Sequence, residues 1–140
     1  MGNDFFDHIG FESGGILNLT PRQVSALCEK GAILVDVREE FMNRFKMIDV
    51  PEIIYCPYSI LEETYQNLPV GKPLIFADAS GIHSKEAVKF LLDKGLGGRI
   101  ANMAGGLVEW ERDGLPLIID NTEKLSGSCM CQLRPRNKKE

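Results

Sequence analysis

The chain has 140 residues, 44 % hydrophobic and 26 % charged, with a formal net charge of −4. That length and mixture predict one soluble globular domain with a single core, and no apolar run reaches the length of a membrane span. The start MGNDFFDHIG lacks a basic region followed by an apolar one, so the expected location is cytoplasmic, with no membrane partner.

The predicted elements alternate between two periodicities. Residues 1–14 read as an N-terminal extension, and residues 15–19 as a short first strand. Thr20-Pro21-Arg22-Gln23 is a strong helix start, with Thr20 as N-cap, Pro21 in the first turn and Gln23 placed for a capping box. Val24, Leu27 and Cys28 give that helix its apolar face, and Gly31 stops it. Residues 33–37 are nearly all apolar, as in a parallel strand covered on both faces. An irregular helix is expected from Glu39 to about Lys46, then a strand over residues 53–56. Ser59-Ile60-Leu61-Glu62 offers a second capping box, with a helix to about Leu68. A strand over residues 74–77 leads into a helix over 84–94, whose expected buried stripe is Ala87, Val88, Leu91 and Leu92. A last strand at 99–103 and a last helix at 107–113 precede Gly114 and Pro116. Strands alternating with helices predict an α/β fold around a mainly parallel sheet.

The stretch LIFADASGIHSKEAV, residues 74–88, is the most informative of the chain. A loop running from a strand end into a helix N-terminus aims backbone N–H groups inward and forms an anion cradle. About twenty residues later comes MAGGLVEWERDGLP, residues 103–116. Together with the strand-end Asp36 and Arg38 of LVDVREE, these segments resemble the rhodanese-like domain family. The resemblance covers about residues 15–118 and implies a three-layer α/β/α fold with a central sheet of about five strands. It also implies a catalytic cysteine at the head of the loop, held as a thiolate and accepting sulfur as a persulfide. Here that position is Asp78.

A carboxylate cannot form a persulfide, but it can fill the same cradle, because its two oxygens accept several N–H groups. Asp78 is therefore expected to tie up its own loop, Asp78 to Ser84, and to repel an external anion. A role as acyl-phosphate nucleophile or general base has no second acidic residue to support it, since Ser80 stands two positions on. The arginines that active relatives often carry in the loop are replaced by Ala79, Ile82 and His83, on either side of Ser80 and Gly81. His83 either pairs with Asp78 or is a partly exposed loop residue; a triad with Ser80 or Ser84 is a weak alternative. Phe45 to Pro51 stand where the family usually has His-Ile-x-Gly-Ala. Gly105, Gly106, Trp110, Gly114, Leu115 and Pro116 match the family, in structural roles.

Residues 119–140 read as a flexible basic tail. Residues 124–140 alone carry a net charge of +4, which leaves 11 basic and 19 acidic side chains, a net of −8, on the remainder. An acidic body argues against nucleic acid as a partner. Cys28 and Cys56 read as small core residues. Cys129 and Cys131 form a Cys-x-Cys pair that can accept sulfur, exchange thiols or bridge a metal between two copies. The expected function is a binding or regulatory module, without classical thiosulfate sulfurtransferase activity, for an unidentified protein partner or a second copy of itself. The alternative is a sulfurtransferase or sulfur carrier using Cys129 and Cys131. No cofactor and no metal are expected.

Overall fold

The computed structural model describes residue 6 and residues 9–40, 45–69, 71–95 and 99–119. The capping box forms as the sequence requires. Thr20 Oγ1 accepts the Gln23 N–H at 3.2 Å, and Gln23 Oε1 accepts the Thr20 N–H at 2.9 Å. They open α1, Pro21–Glu29, which buries Val24, Leu27 and Cys28.

Six strands make the main sheet: β1, Phe11–Ser13; β2, Ile16–Leu19; β3, Ile33–Asp36; β5, Ile53–Tyr55; β6, Leu74–Ala77; and β7, Ile100–Met103. Their order is β1-β2-β7-β6-β3-β5, parallel throughout except for β1 against β2. The sixth strand is β1, drawn from residues before the expected start of the domain. Its three side chains are exposed, so no apolar alternation announces it.

Side chains alternate across the sheet, and the helices take one face each. Leu34, Ile75, Ala77, Ala101 and Met103 pack with α1 and with Leu107 and Trp110 of α4, Gly106–Arg112. Ile33, Val35, Leu74 and Phe76 pack with Leu61 of α2, Leu61–Thr64, and with Ala87, Val88 and Leu91 of α3, Ile82–Asp93. This is the expected three-layer arrangement. Each fully buried aliphatic or aromatic side chain on these faces contributes roughly 1.5–3 kcal/mol.

Three local expectations are corrected. Lys46 belongs to β4, Lys46–Ile48, which pairs antiparallel with β8, Leu117–Ile119; of the helix expected before it, residues 41–44 lie outside the described residues. Ser59 does not cap a helix, because its N–H and hydroxyl both bond the Glu39 carboxylate, at 3.1 and 2.8 Å. A 3-10 turn, Tyr58–Ile60, precedes α2 instead, and a second, Tyr65–Asn67, follows it. Leu92 is only half-buried, and α3 begins at Ile82, two residues early, with the buried Ser84 inside its first turn.

The chain leaves β3 toward β5 at one edge and leaves β6 toward β7 on the other side. Loops after adjacent strands that diverge in this way leave a crevice at their carboxyl ends. The Asp36–Arg38 and Asp78–Ser84 segments flank it.

Candidate functional site

Asp78 follows β6 directly and is 4 % exposed. Its carboxylate turns back into its own loop. Oδ1 accepts the Gly81 N–H in a short hydrogen bond, and Oδ2 accepts the His83 N–H at 2.9 Å. The Ser84 hydroxyl lies 3.2 Å from Oδ1. Gly81 has a φ of +94°, a left-handed conformation that turns its N–H toward the carboxylate, and α3 starts immediately after it. The cradle is formed, and the chain's own side chain fills it.

The loop is clamped from above by the Gly105-Gly106 turn. The first N–H groups of α4 find no partners within a helix. Here the Leu107 N–H donates to the Asp78 carbonyl at 2.9 Å and the Val108 N–H to the Ala79 carbonyl at 3.1 Å. A Cβ on Gly106 would stand 2.6 Å from the carbonyls of Asp78 and Ala79, so only glycine permits this approach.

Behind the loop runs a polar chain that sequence reading missed. Ser84 Oγ also bonds Asn102 Oδ1, Asn102 Nδ2 donates to Asn18 Oδ1 at 2.9 Å, and Asn18 Nδ2 donates to the Ile16 carbonyl at 3.0 Å. Ser84, Asn102 and Asn18 are all buried. Their signal was present in the sequence as asparagines inside two otherwise apolar strands. Such groups are retained in a core only when paired.

His83 sits on the first turn of α3 with its side chain 66 % exposed, and its Nδ1 is 3.7 Å from Asp78 Oδ2, beyond hydrogen-bond range. Its ring stacks on Tyr58 with centroids 5.2 Å apart. The Tyr58 hydroxyl donates to Glu86 at 3.0 Å, and its pKa is raised by desolvation and by that carboxylate. No hydrogen bond joins Ser84 to the His83 ring among the described residues, so the triad arrangement does not form.

Asp36 and Arg38 are both buried and are spent on each other. Arg38 Nη2 lies 2.8 Å from Asp36 Oδ2, and the Arg38 N–H donates to Asp36 Oδ1 at 3.0 Å. Arg38 Nη2 also reaches the Lys46 carbonyl at 2.7 Å, tying the crevice wall to β4. Arg38 thus links the end of β3 to β4 inside the crevice wall. Ile82, by contrast, points outward and is 63 % exposed, while Ala79 and Ser80 complete the turn.

Cys28 and Cys56 are buried, as expected, and burial together with nearby Glu29 pushes the Cys28 thiol up to about 12. Cys129 and Cys131 lie outside the described residues. Among the described residues no group of three or more His, Cys, Asp or Glu side chains is placed to hold a metal, and no helix is long and apolar enough to cross a membrane.

With this geometry in hand, the chain matches the family described as Rhodanese-like domain over residues 20–113. It is 29 % identical over 86 residues to a protein of Allochromatium vinosum named Sulfurtransferase, covering 61 % of this chain and 78 % of the other. It is 27 % identical over 92 residues to the thiosulfate sulfurtransferase GlpE of Pseudomonas syringae, covering 66 % and 84 %. Among solved structures it is similar to a rhodanese-related protein of Thermoplasma volcanium, with a TM-score of 0.64 and 28 % identity over 74 % of this chain and 98 % of the other.

Proposed function

Because this chain belongs to the rhodanese-like domain family, we propose that it keeps the family's scaffold as a cytoplasmic protein-binding or regulatory module and does not carry out classical thiosulfate sulfur transfer through its own loop. One observation carries this reading: the Asp78 carboxylate occupies the cradle, taking the N–H groups of Gly81 and His83. Persulfide formation needs a thiolate that attacks the outer sulfur of the donor and expels sulfite. A carboxylate lacks that nucleophilicity, and its charge opposes entry of an anionic donor.

The test is intact-protein and peptide mass spectrometry after incubation with thiosulfate. The expected result is no added sulfur on any cysteine of the natural chain. Sulfur transfer gained by Asp78→Cys would support the scaffold's competence and place the loss of activity on this one residue.

A second reading has its own observation. Both described cysteines are buried, and Cys28 is held as a neutral thiol, so a sulfur acceptor in this chain would have to be Cys129 or Cys131. Sulfur mapped to that pair, and lost in a Cys129→Ser, Cys131→Ser double variant, would overturn the first reading in favour of a sulfur carrier.

A further inference from the structure

Ser84 carries one hydroxyl hydrogen and lies against two acceptors, Asn102 Oδ1 at 2.5 Å and Asp78 Oδ1 at 3.2 Å. The far end of the polar chain decides which of them receives it. The Ile16 carbonyl can only accept, so Asn18 turns its Nδ2 toward it, at 3.0 Å. Asn18 Oδ1 then faces Asn102, which answers with its own Nδ2, at 2.9 Å. Asn102 Oδ1 is left toward Ser84 and takes the hydroxyl hydrogen, across the shorter of the two contacts. Ser84 Oγ therefore presents lone pairs to Asp78 Oδ1. With Asp78 ionised, the run from Asp78 to Ile16 has four contacts and three hydrogens to fill them. The unfilled contact is the one at the cradle, where two acceptor oxygens meet in a buried site.

A proton on Asp78 supplies the missing hydrogen. We propose that Asp78 takes up a proton from solvent without releasing its loop. The proton sits on Oδ1 and is donated to Ser84 Oγ, while the Gly81 and His83 N–H groups stay bonded to Oδ1 and Oδ2. A protonated carboxyl keeps acceptor capacity beside its O–H. The ionised side chain accepts two bonds from the loop, and the protonated one adds a third to Ser84. A carboxylate that binds backbone N–H groups at a helix start ordinarily loses strength when neutralised. Here the bond gained to Ser84 offsets that loss. The cradle thus stays filled, and closed to external anions, whether or not Asp78 is charged.

The charged and titratable groups on the surrounding elements leave this contact to Asp78. On α3, His83 Nδ1 stands 3.7 Å from the opposite oxygen, Oδ2, and Lys85 and Glu86 follow along the helix, with Glu86 bonded to Tyr58. On the segment ending β3, Asp36 and Arg38 pair with each other, as do Glu109 and Arg112 on α4. β2 and β7 bring only the amides of Asn18 and Asn102. Among the described residues none of these charged groups bonds Ser84 Oγ. Closure rests on bonds within the chain and holds whichever partner the loop face meets.

The test follows the natural full-length chain by NMR as pH is lowered. The Asp78 carboxyl carbon reports its protonation, and the Gly81 and His83 amides report loop closure through their protection from hydrogen exchange. The comparison is made where the core amides of Leu34 and Ile75 remain protected. Protection at Gly81 and His83 should fall by less than about threefold as Asp78 is protonated; a larger fall overturns the proposal. In Ser84→Ala, which offers no third partner, the same step should lower protection by more than about threefold. A loss as small as in the natural chain overturns the proposal too. Urea unfolding at neutral pH checks the direction of the Ser84 hydrogen independently. Ser84→Ala should reduce the folding equilibrium constant by no larger a factor with Asp78 present than in an Asp78→Ala background. A factor more than about threefold larger with Asp78 present would place the hydrogen on the carboxylate and overturn the proposal.

Discussion

The Asp78 carboxylate accepts the backbone N–H of His83 at 2.9 Å, so the side chain that heads the loop is bonded to the backbone that ends it. The same carboxylate bonds Gly81 at the turn between them. A loop that a substrate anion could organise is here organised by the chain itself.

Replacing Asp78 therefore acts first on stability. Asp78→Ala leaves the Gly81 and His83 N–H groups without their acceptor in a buried site, and hydrogen bonds to charged groups are worth about 1.5–3 kcal/mol. A loss of about 2–4 kcal/mol in urea unfolding is expected, with a smaller loss for Asp78→Asn, which retains one acceptor oxygen.

The polar chain behind the loop behaves as a unit. Ser84 Oγ faces both Asp78 and Asn102, and Asn102 holds Asn18. Ser84→Ala and Asn102→Ala should each destabilise by about 1–3 kcal/mol. Their double variant should fall short of the sum by about 0.5–2 kcal/mol in a mutant cycle. Additive losses would mean that the two side chains do not communicate.

Gly106 and Gly31 separate conformational strain from collision. Both have positive φ, at +61° and +115°, but a Cβ on Gly31 meets nothing within 4 Å. Gly31→Ala should cost about 1–2 kcal/mol from backbone strain alone. Gly106→Ala adds a collision with the Ala79 and Asp78 carbonyls, about 1–3 kcal/mol more. Only this second change should shift the Gly81 and Val108 amide resonances.

Cys28 predicts a pH dependence. Burial raises its thiol from 9.0 to about 12, so between these values the unfolded chain releases a proton that the folded chain keeps. Stability from this group is whole below pH 9 and declines as pH rises toward 12, with a slope of at most about 1.4 kcal/mol per pH unit. Urea midpoints taken from pH 8 to pH 11 should fall less steeply in Cys28→Ala than in the natural chain. Parallel curves would exclude Cys28 as the source.

How much of this was legible in the sequence follows from the range of each interaction. The Thr20–Gln23 capping box, the Val24–Leu27–Cys28 stripe and the apolar runs of β3 and β6 depend on residues a few positions apart. The sequence by itself therefore determined the alternation of strands and helices, the position of the loop and the carboxylate at its head. Relations between distant segments needed the folded chain. The Ser59 capping box was locally plausible, yet Glu39, twenty residues away, bonds Ser59 instead. β4 and β8 are too short to carry a periodic signal, and only sheet pairing across some seventy residues defines them. The Asn18–Asn102 bond spans 84 positions and exists because β2 and β7 lie side by side in register. Local periodicity and capping are encoded between chain neighbours, whereas the partners of buried polar groups are chosen by strand order, which only packing of the whole core decides.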